Sequence, residues 1–203
     1  MKFICIGRNY AEHAKELGNE VPDEPVIFMK PNSAYHQPSN PFYYPEFTNE
    51  LHYECEIVVR ISKNGKLIEE VNASKYYDSI SVGIDFTARD IQTELKKKGL
   101  PWEKAKGWDG SAVIGKWQPI SQEVDMKNII FSLNKNGQVV QQGNSRDMIH
   151  DIDKIIAHVS RFFSLNIGDV IFTGTPAGVG ECVVGDELEA FLMDESMLTL
   201  LVK

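Results

Sequence analysis

Apolar residues recur at every second position through much of this chain, the period of a β-strand with one buried face. Ile80, Val82, Ile84 and Phe86 alternate this way. Leu51 to Ile61 reads as another strand: Tyr53, Cys55, Ile57, Val59 and Ile61 fall on one face, and His52, Glu54, Glu56, Val58 and Arg60 on the other. Met1 to Ile6 predicts a short first strand, and Asp169–Phe172 and Glu187–Phe191 two late ones, each entered through a Gly-Asp pair. Asn64-Gly65 and Asn136-Gly137 each predict a two-residue hairpin. The first would return a strand from Leu67, and the second would join Ile129–Leu133 to Val139–Gln141.

The helical period is rarer. Ile149, Ile152, Ile156, Val159 and Phe163 recur at three and four, which predicts a helix over about Asp147 to Leu165. A shorter helix is predicted from Asn9, a cap residue with Glu12 three positions on, through Glu16 to a Leu17-Gly18 end. A third is opened by Thr87-Ala88-Arg89-Asp90 and closed by Gly99-Leu100-Pro101. Residues 18–47 are rich in Pro, Asn and Ser and read mostly as loop, around a short apolar run from Val26 to Met29. The sum is a strand-rich α+β fold. Without regular strand–helix alternation it is neither a Rossmann fold nor a TIM barrel.

Composition narrows the partners. The chain has 203 residues and a formal net charge of −8, which suits one domain over 1–203 and argues against nucleic acid or an anionic membrane as the main partner. Three scattered cysteines with no CxxC spacing make no disulfide framework and no zinc site. The apolar start is too short for a signal peptide, and no run reaches the roughly 20 apolar residues of a membrane span. The expectation is a cytoplasmic protein.

Glu54 and Glu56, two apart on a strand, share a face. Two such carboxylates repel each other unless water or a cation intervenes. Alone they fit a solvated strand face. Asp85 changes the picture, because it occupies the polar phase of an otherwise apolar strand. Three converging carboxylates would form a hard oxygen site suited to Mg²⁺, Mn²⁺ or Ca²⁺. His13 and Glu16 share a helix face, and a carboxylate beside an imidazole fixes its tautomer and supports the cation formed when it takes a proton. That pair has the form of a water-activating base, although surface His–Glu pairs are mostly inert. Thr173-Gly174-Thr175-Pro176-Ala177-Gly178-Val179-Gly180 forms a tight loop able to present backbone amides to an anion; it lacks the lysine of a P-loop.

In order and spacing, several segments together resemble the fumarylacetoacetate hydrolase family: residues 7–16 (Gly7-Arg8-Asn9-Tyr10 through Glu16), Phe28-Met29-Lys30-Pro31, Glu54-Cys55-Glu56, Gly83 to Asp90, Lys98 to Trp102 and the glycine loop. The similarity is strongest to its short members, acylpyruvate hydrolases and oxaloacetate decarboxylases. The resemblance implies a mixed β-sandwich roll, a homodimer, and a lid over about residues 8–30. It implies Glu54, Glu56 and Asp85 as ligands of Mg²⁺ (or Mn²⁺ or Ca²⁺), and His13, Glu16 and Lys106 as catalytic groups. Substrate contacts would come from Arg8, Asn9, Tyr10, Lys30, Arg89, Gln92 and Thr175. The reaction expected is C–C hydrolysis of acylpyruvates or decarboxylation of oxaloacetate, with isomerisation of unsaturated 2-oxo diacids as an alternative. A binding module without catalysis would need only the three carboxylates. Two departures from the family pattern, Trp108 and Glu181, are expected to reshape the pocket.

Overall fold

The computed structural model describes residues 1–16, 18, 20–121 and 124–203. The first half of the chain contains β1 (Phe3–Gly7), helix α1 (Ala11–Glu16), β2 (Val26–Lys30), β3 (Tyr35–His36), β4 (Leu51–Tyr53), β5 (Cys55–Ile61), β6 (Tyr77–Asp85), β7 (Thr87–Ala88) and helix α2 (Arg89–Lys97). The second half contains helix α3 (Glu103–Lys106), β8 (Ala112–Ile114), β9 (Gln118–Pro119), β10 (Ile130–Lys135), β11 (Gln138–Asn144), helix α4 (Ile152–Phe162), β12 (Val170–Phe172), β13 (Gly180–Glu181), β14 (Glu187–Leu192) and β15 (Glu195–Leu201). No described helix is long and apolar enough to cross a membrane.

The largest sheet runs β2-β1-β12-β5-β6-β8-β3, with β9 also on β6. It is mixed: β1 lies parallel to β12 and β3 parallel to β8, while the other pairs are antiparallel. Strand alternation places its two faces in different cores. Ile4, Ile6, Cys55, Ile57, Val59, Ile80, Val82, Ile84 and Ile171 join the main core, which also takes Phe131, Leu133, Leu188 and Ala190 from the second sheet, β11-β10-β14-β15. Phe3, Cys5, Val58, Ala112, Val170 and Phe172 point the other way into a smaller core. By this parity Glu56, like Val58, faces away from the main core, and so does Asp85, which follows Ile84. The outcome is the strand-rich α+β fold that the pattern predicts, with the mixed sheet that the resemblance implies.

Several local expectations change. Val26–Met29 lies in β2, paired antiparallel with β1 from Phe3↔Lys30 to Gly7↔Val26, so part of the expected loop and lid belongs to the sheet. The strand expected over Leu51–Ile61 breaks at Glu54. There β4 leaves to pair with β13 and β7, and the Cys55 amide donates to Gln141 Oε1 at 2.9 Å rather than to a ladder partner. Asn136-Gly137 forms its hairpin with positive φ at both residues (53° and 76°), the type I′ geometry. Asn64-Gly65 does not, since neither residue has positive φ and no strand returns at Leu67. Gly65 instead bridges to Leu165, and a Cβ there would lie 2.5 Å from the Tyr76 ring, so this glycine serves close packing.

The long helix is shorter than its apolar stripe. Asp151 caps it by accepting the Lys154 amide at 2.9 Å, and Ile149 and Phe163 fall outside it. Helix α2 begins at Arg89, because Thr87 and Ala88 are strand. Asn9 does not cap α1: its side chain donates to the His150 and Thr173 carbonyls and accepts the His150 amide. Gly18 takes the expected left-handed conformation (φ 64°), while Leu17 lies outside the described residues.

Candidate metal and substrate site

The end of the β5–β6 pair brings three carboxylates together. Cys55 pairs with Ile84 and Glu56 with Gly83, and the Asp85 amide donates to the Glu54 carbonyl at 2.8 Å. One ligand oxygen from each of Glu54, Glu56 and Asp85 lies within 4.8 Å of the other two, and all three side chains are buried. Gly83 permits this packing, since a Cβ would lie 2.7 Å from the Phe172 ring.

Buried like charges need compensation, and three cations supply it. Lys106, at the end of α3, places Nζ 2.7 Å from Glu54 Oε2 and 2.8 Å from Asp85 Oδ2. Arg89, opening α2, donates to Glu54 Oε1 at 2.5 Å and to Gln92 Oε1 at 2.6 Å. Lys30, fully enclosed beneath the site, sits 2.7 Å from Asp85 Oδ1 and donates to the Lys106 and Ser111 carbonyls.

Among the described residues, no cation forms a salt bridge with Glu56. Its Oε2 accepts the Gly174 amide at 2.7 Å. Burial, then Asp85 and Glu54, push the Glu56 carboxyl well above the usual range. Burial opposes charge on Glu54 too, but Lys106 and Arg89 overcome it and hold that carboxyl far below its ordinary value. Burial also works against the Lys106 ammonium, and Asp85 and Glu54 outweigh it and raise its pKa. The least compensated member of the trio is therefore Glu56. An all-carboxylate, buried set with one uncompensated member fits a hard divalent cation.

The surrounding pocket is small, about 40 Å³. Its walls include Arg8, His13, Arg89, Gln92, Lys106 and Thr175 together with the three carboxylates. His13 is buried, and its Nδ1 lies 3.2 Å from Glu16 Oε2 behind the wall. Arg8 sits in the turn between β1 and α1 with φ 60°, a strained value for a side-chain-bearing residue. Thr175 donates to the Cys55 carbonyl and accepts from Gln141 Nε2, both at 2.8 Å.

Other expected residues stand off the pocket wall. Asn9 ties the first turn to residues 150 and 173 as described above. Tyr10 packs edge-on against Phe131, and its backbone bridges to Met148. Lys30 supports the site from below. Trp108 and Glu181 do not line the pocket: Trp108 packs beside Phe42 and Phe47, and Glu181 lies in β13. Phe28, Lys96 and Trp102 do line it; Phe28 and Trp102 fall in segments that carry the resemblance, but none of the three is given a site role from sequence. Trp102 follows the Gly99-Leu100-Pro101 helix stop, and a large aromatic placed there, next to a predicted site helix, was the available signal.

With this geometry in view, likeness to known proteins is informative. A profile described as the C-terminal domain of fumarylacetoacetate hydrolase matches residues 2–201. An oxaloacetate tautomerase of Escherichia coli is 41% identical over 98% of this chain and 91% of its own length. A mitochondrial oxaloacetate decarboxylase of Dictyostelium discoideum is 39% identical over 93% of this chain and 87% of its own length. The crystal structure of fumarylpyruvate hydrolase from Pseudomonas aeruginosa, in complex with Mn²⁺ and pyruvate, superposes with a TM-score of 0.94 at 35% identity, covering 100% of this chain and 89% of that one. The buried acidic trio is a group that could hold a metal ion, and the chain belongs to the fumarylacetoacetate hydrolase family.

Proposed function

We propose that this protein is a divalent-metal enzyme acting on small 2-oxo acids, and that its pocket is built to hydrolyse the C–C bond of acylpyruvates. The observation that carries the proposal is the convergence, on one small pocket, of the Glu54–Glu56–Asp85 trio and the His13–Glu16 pair. Mg²⁺ or Mn²⁺ held by the trio would supply positive charge at the keto oxygen, where negative charge develops as the adjacent C–C bond breaks. Arg89, Gln92 and Lys106 on the pocket wall would orient the acid end of the substrate. His13 would take a proton from water through Nε2, while Glu16 holds Nδ1 and so the tautomer. The hydroxide adds to the distal carbonyl, the C–C bond electrons pass to the pyruvyl fragment, and a proton completes pyruvate and a carboxylic acid.

A second reading, oxaloacetate as substrate, is favoured by the tautomerase and decarboxylase relatives. Both of those reactions build charge on the same keto oxygen, and neither consumes water. The test is protein stripped with EDTA and reloaded with Mg²⁺ or Mn²⁺, assayed for pyruvate release from acetylpyruvate and for keto–enol exchange and CO₂ release from oxaloacetate. Activity on acetylpyruvate supports the first reading, and activity confined to oxaloacetate the second. Inactivity of metal-loaded protein on both substrates, or undiminished activity without metal, defeats the proposal.

A further inference from the structure

Beside the carboxylate pocket lies a second, larger depression of about 420 Å³. The two share Phe28, Trp102 and Lys106. Phe28 and Trp102 pack on each other along this shared wall, with ring centroids 6.0 Å apart and planes tilted 59°. The far walls of this cleft are apolar: β2 contributes Val26 and Met29, the segment after α2 contributes Leu100 and Pro101, and the residue following α4 is Phe163. Its volume falls within the roughly 300–1,000 Å³ usual for small-molecule sites. The carboxylate pocket, by contrast, has room only for a compact head group.

We propose that this cleft is the acyl subsite of the enzyme, and that it selects 2-oxo acids carrying an unbranched apolar chain over those carrying a second carboxylate. The inference rests on the preceding proposal that the carboxylate pocket holds the 2-oxo acid head. Substituents on that head must leave the small pocket, and the cleft is the adjoining space that shares Phe28, Trp102 and Lys106 with it. The ionisable groups lining the cleft are Glu103 and Lys106. The Lys106 ammonium faces Glu54 and Asp85, and in the preceding proposal it serves the carboxylate of the head itself. A distal carboxylate entering the cleft would thus meet Glu103 and no uncommitted cation, whereas Arg8 and Lys96 line only the inner pocket. An alkyl chain would cover Leu100, 47% exposed, and Phe163, 38% exposed. Removing such surface from water is the favourable term.

The experiment measures binding of pyruvate, 2-oxobutanoate, 2-oxopentanoate and 2-oxohexanoate to the Mn²⁺-loaded protein by calorimetry, beside 2-oxoglutarate and 2-oxoadipate. Affinity is expected to rise about fourfold per methylene along the monoacid series, with the diacids binding no tighter than pyruvate. In Leu100→Asp the ratio of 2-oxohexanoate to pyruvate affinity should fall towards one. Because that ratio is taken within one protein sample, partial misfolding does not imitate it. Pyruvate binding with no gain along the series, or tighter binding of the diacids, overturns the subsite and leaves the 2-oxo acid reading intact. Failure to bind pyruvate at all overturns both. If Leu100→Asp turns a dimer into a monomer in sedimentation, the cleft is a contact between copies and the proposal falls.

Discussion

Glu16 Oε2 lies 3.2 Å from His13 Nδ1, and the same carboxylate accepts the Gly178 amide, at 3.2 Å to Oε1. One side chain thus orients the imidazole and ties α1 to the glycine loop that also holds Glu56. If His13 is the base for water, His13→Ala should lower kcat/KM for acylpyruvate hydrolysis by about 10²- to 10⁴-fold. Decarboxylation of oxaloacetate, which needs no water, should fall far less. Glu16→Gln should follow in the same direction and more mildly, since the imidazole remains. Equal losses of both activities in His13→Ala would remove it from the hydrolytic step.

The three carboxylates are not interchangeable in the metal-free protein. Burial, Asp85 and Glu54 outweigh the Gly174 amide and Lys106 at Glu56, so Glu56→Gln should leave the metal-free fold as stable as before or slightly more so. Glu54→Gln leaves Lys106 and Arg89 buried with a weakened partner and should cost about 3–5 kcal/mol. All three variants, Asp85→Asn included, should lose Mn²⁺ affinity. Urea unfolding in EDTA and Mn²⁺ calorimetry separate the two effects. Unchanged Mn²⁺ binding in every variant would place the ligands elsewhere.

Gly174 has φ 103°, and a Cβ there would stand 2.7 Å from Asn9 Cβ. Its amide is the donor to Glu56. Gly174→Ala should therefore destabilise the fold by more than about 1 kcal/mol and also weaken metal binding by displacing that amide. Gly137→Ala, also at positive φ but with open space around its Cβ, should lower stability without altering Mn²⁺ affinity. Identical metal affinity in Gly174→Ala and the parent would refute the coupling.

Asp186, which does not line the pocket, provides a pH-dependent contribution to stability. Burial works against its charge, but the Val183 amide, the Asn136 side chain and Lys135 hold its carboxyl below the usual range. A depressed folded value means that the stabilisation is present above the unfolded value of about 3.9 and is lost as pH falls through the folded one. Asp186→Asn should cost about 1–2 kcal/mol at neutral pH. The gap between parent and variant should close as pH drops through the acid range. Urea titrations at a series of pH values test this, and a gap independent of pH would show that charge is not the cause.

Strand alternation was legible because burial imposes a period of two: Ile80, Val82 and Ile84 enter the main core, and the phase of Glu54 and Glu56 follows from Tyr53, Cys55 and Ile57. The Asn136-Gly137 turn was legible because its φ angles are a local property. Asn64-Gly65 carries the same dipeptide, yet its conformation was decided by Tyr76 and Leu165, which crowd it from distant positions. β2 was obscured because a five-residue edge strand among Pro and Asn residues is defined mainly by its partner, β1.

The same division runs through the site. Sequence by itself determined the chemistry present: three carboxylates in strand phase, a His–Glu pair one helical turn apart, and a glycine loop. Only the tertiary structure decided that the Lys106 ammonium lies between Glu54 and Asp85, that Lys30 supports Asp85 from beneath, that Gly174 reaches Glu56, and that Asn9 fastens the first turn instead of capping a helix. These contacts join residues from 21 to 164 positions apart. Local periodicity carries no information over such separations, because which buried charge meets which cation is set by how sheets and loops close around each other.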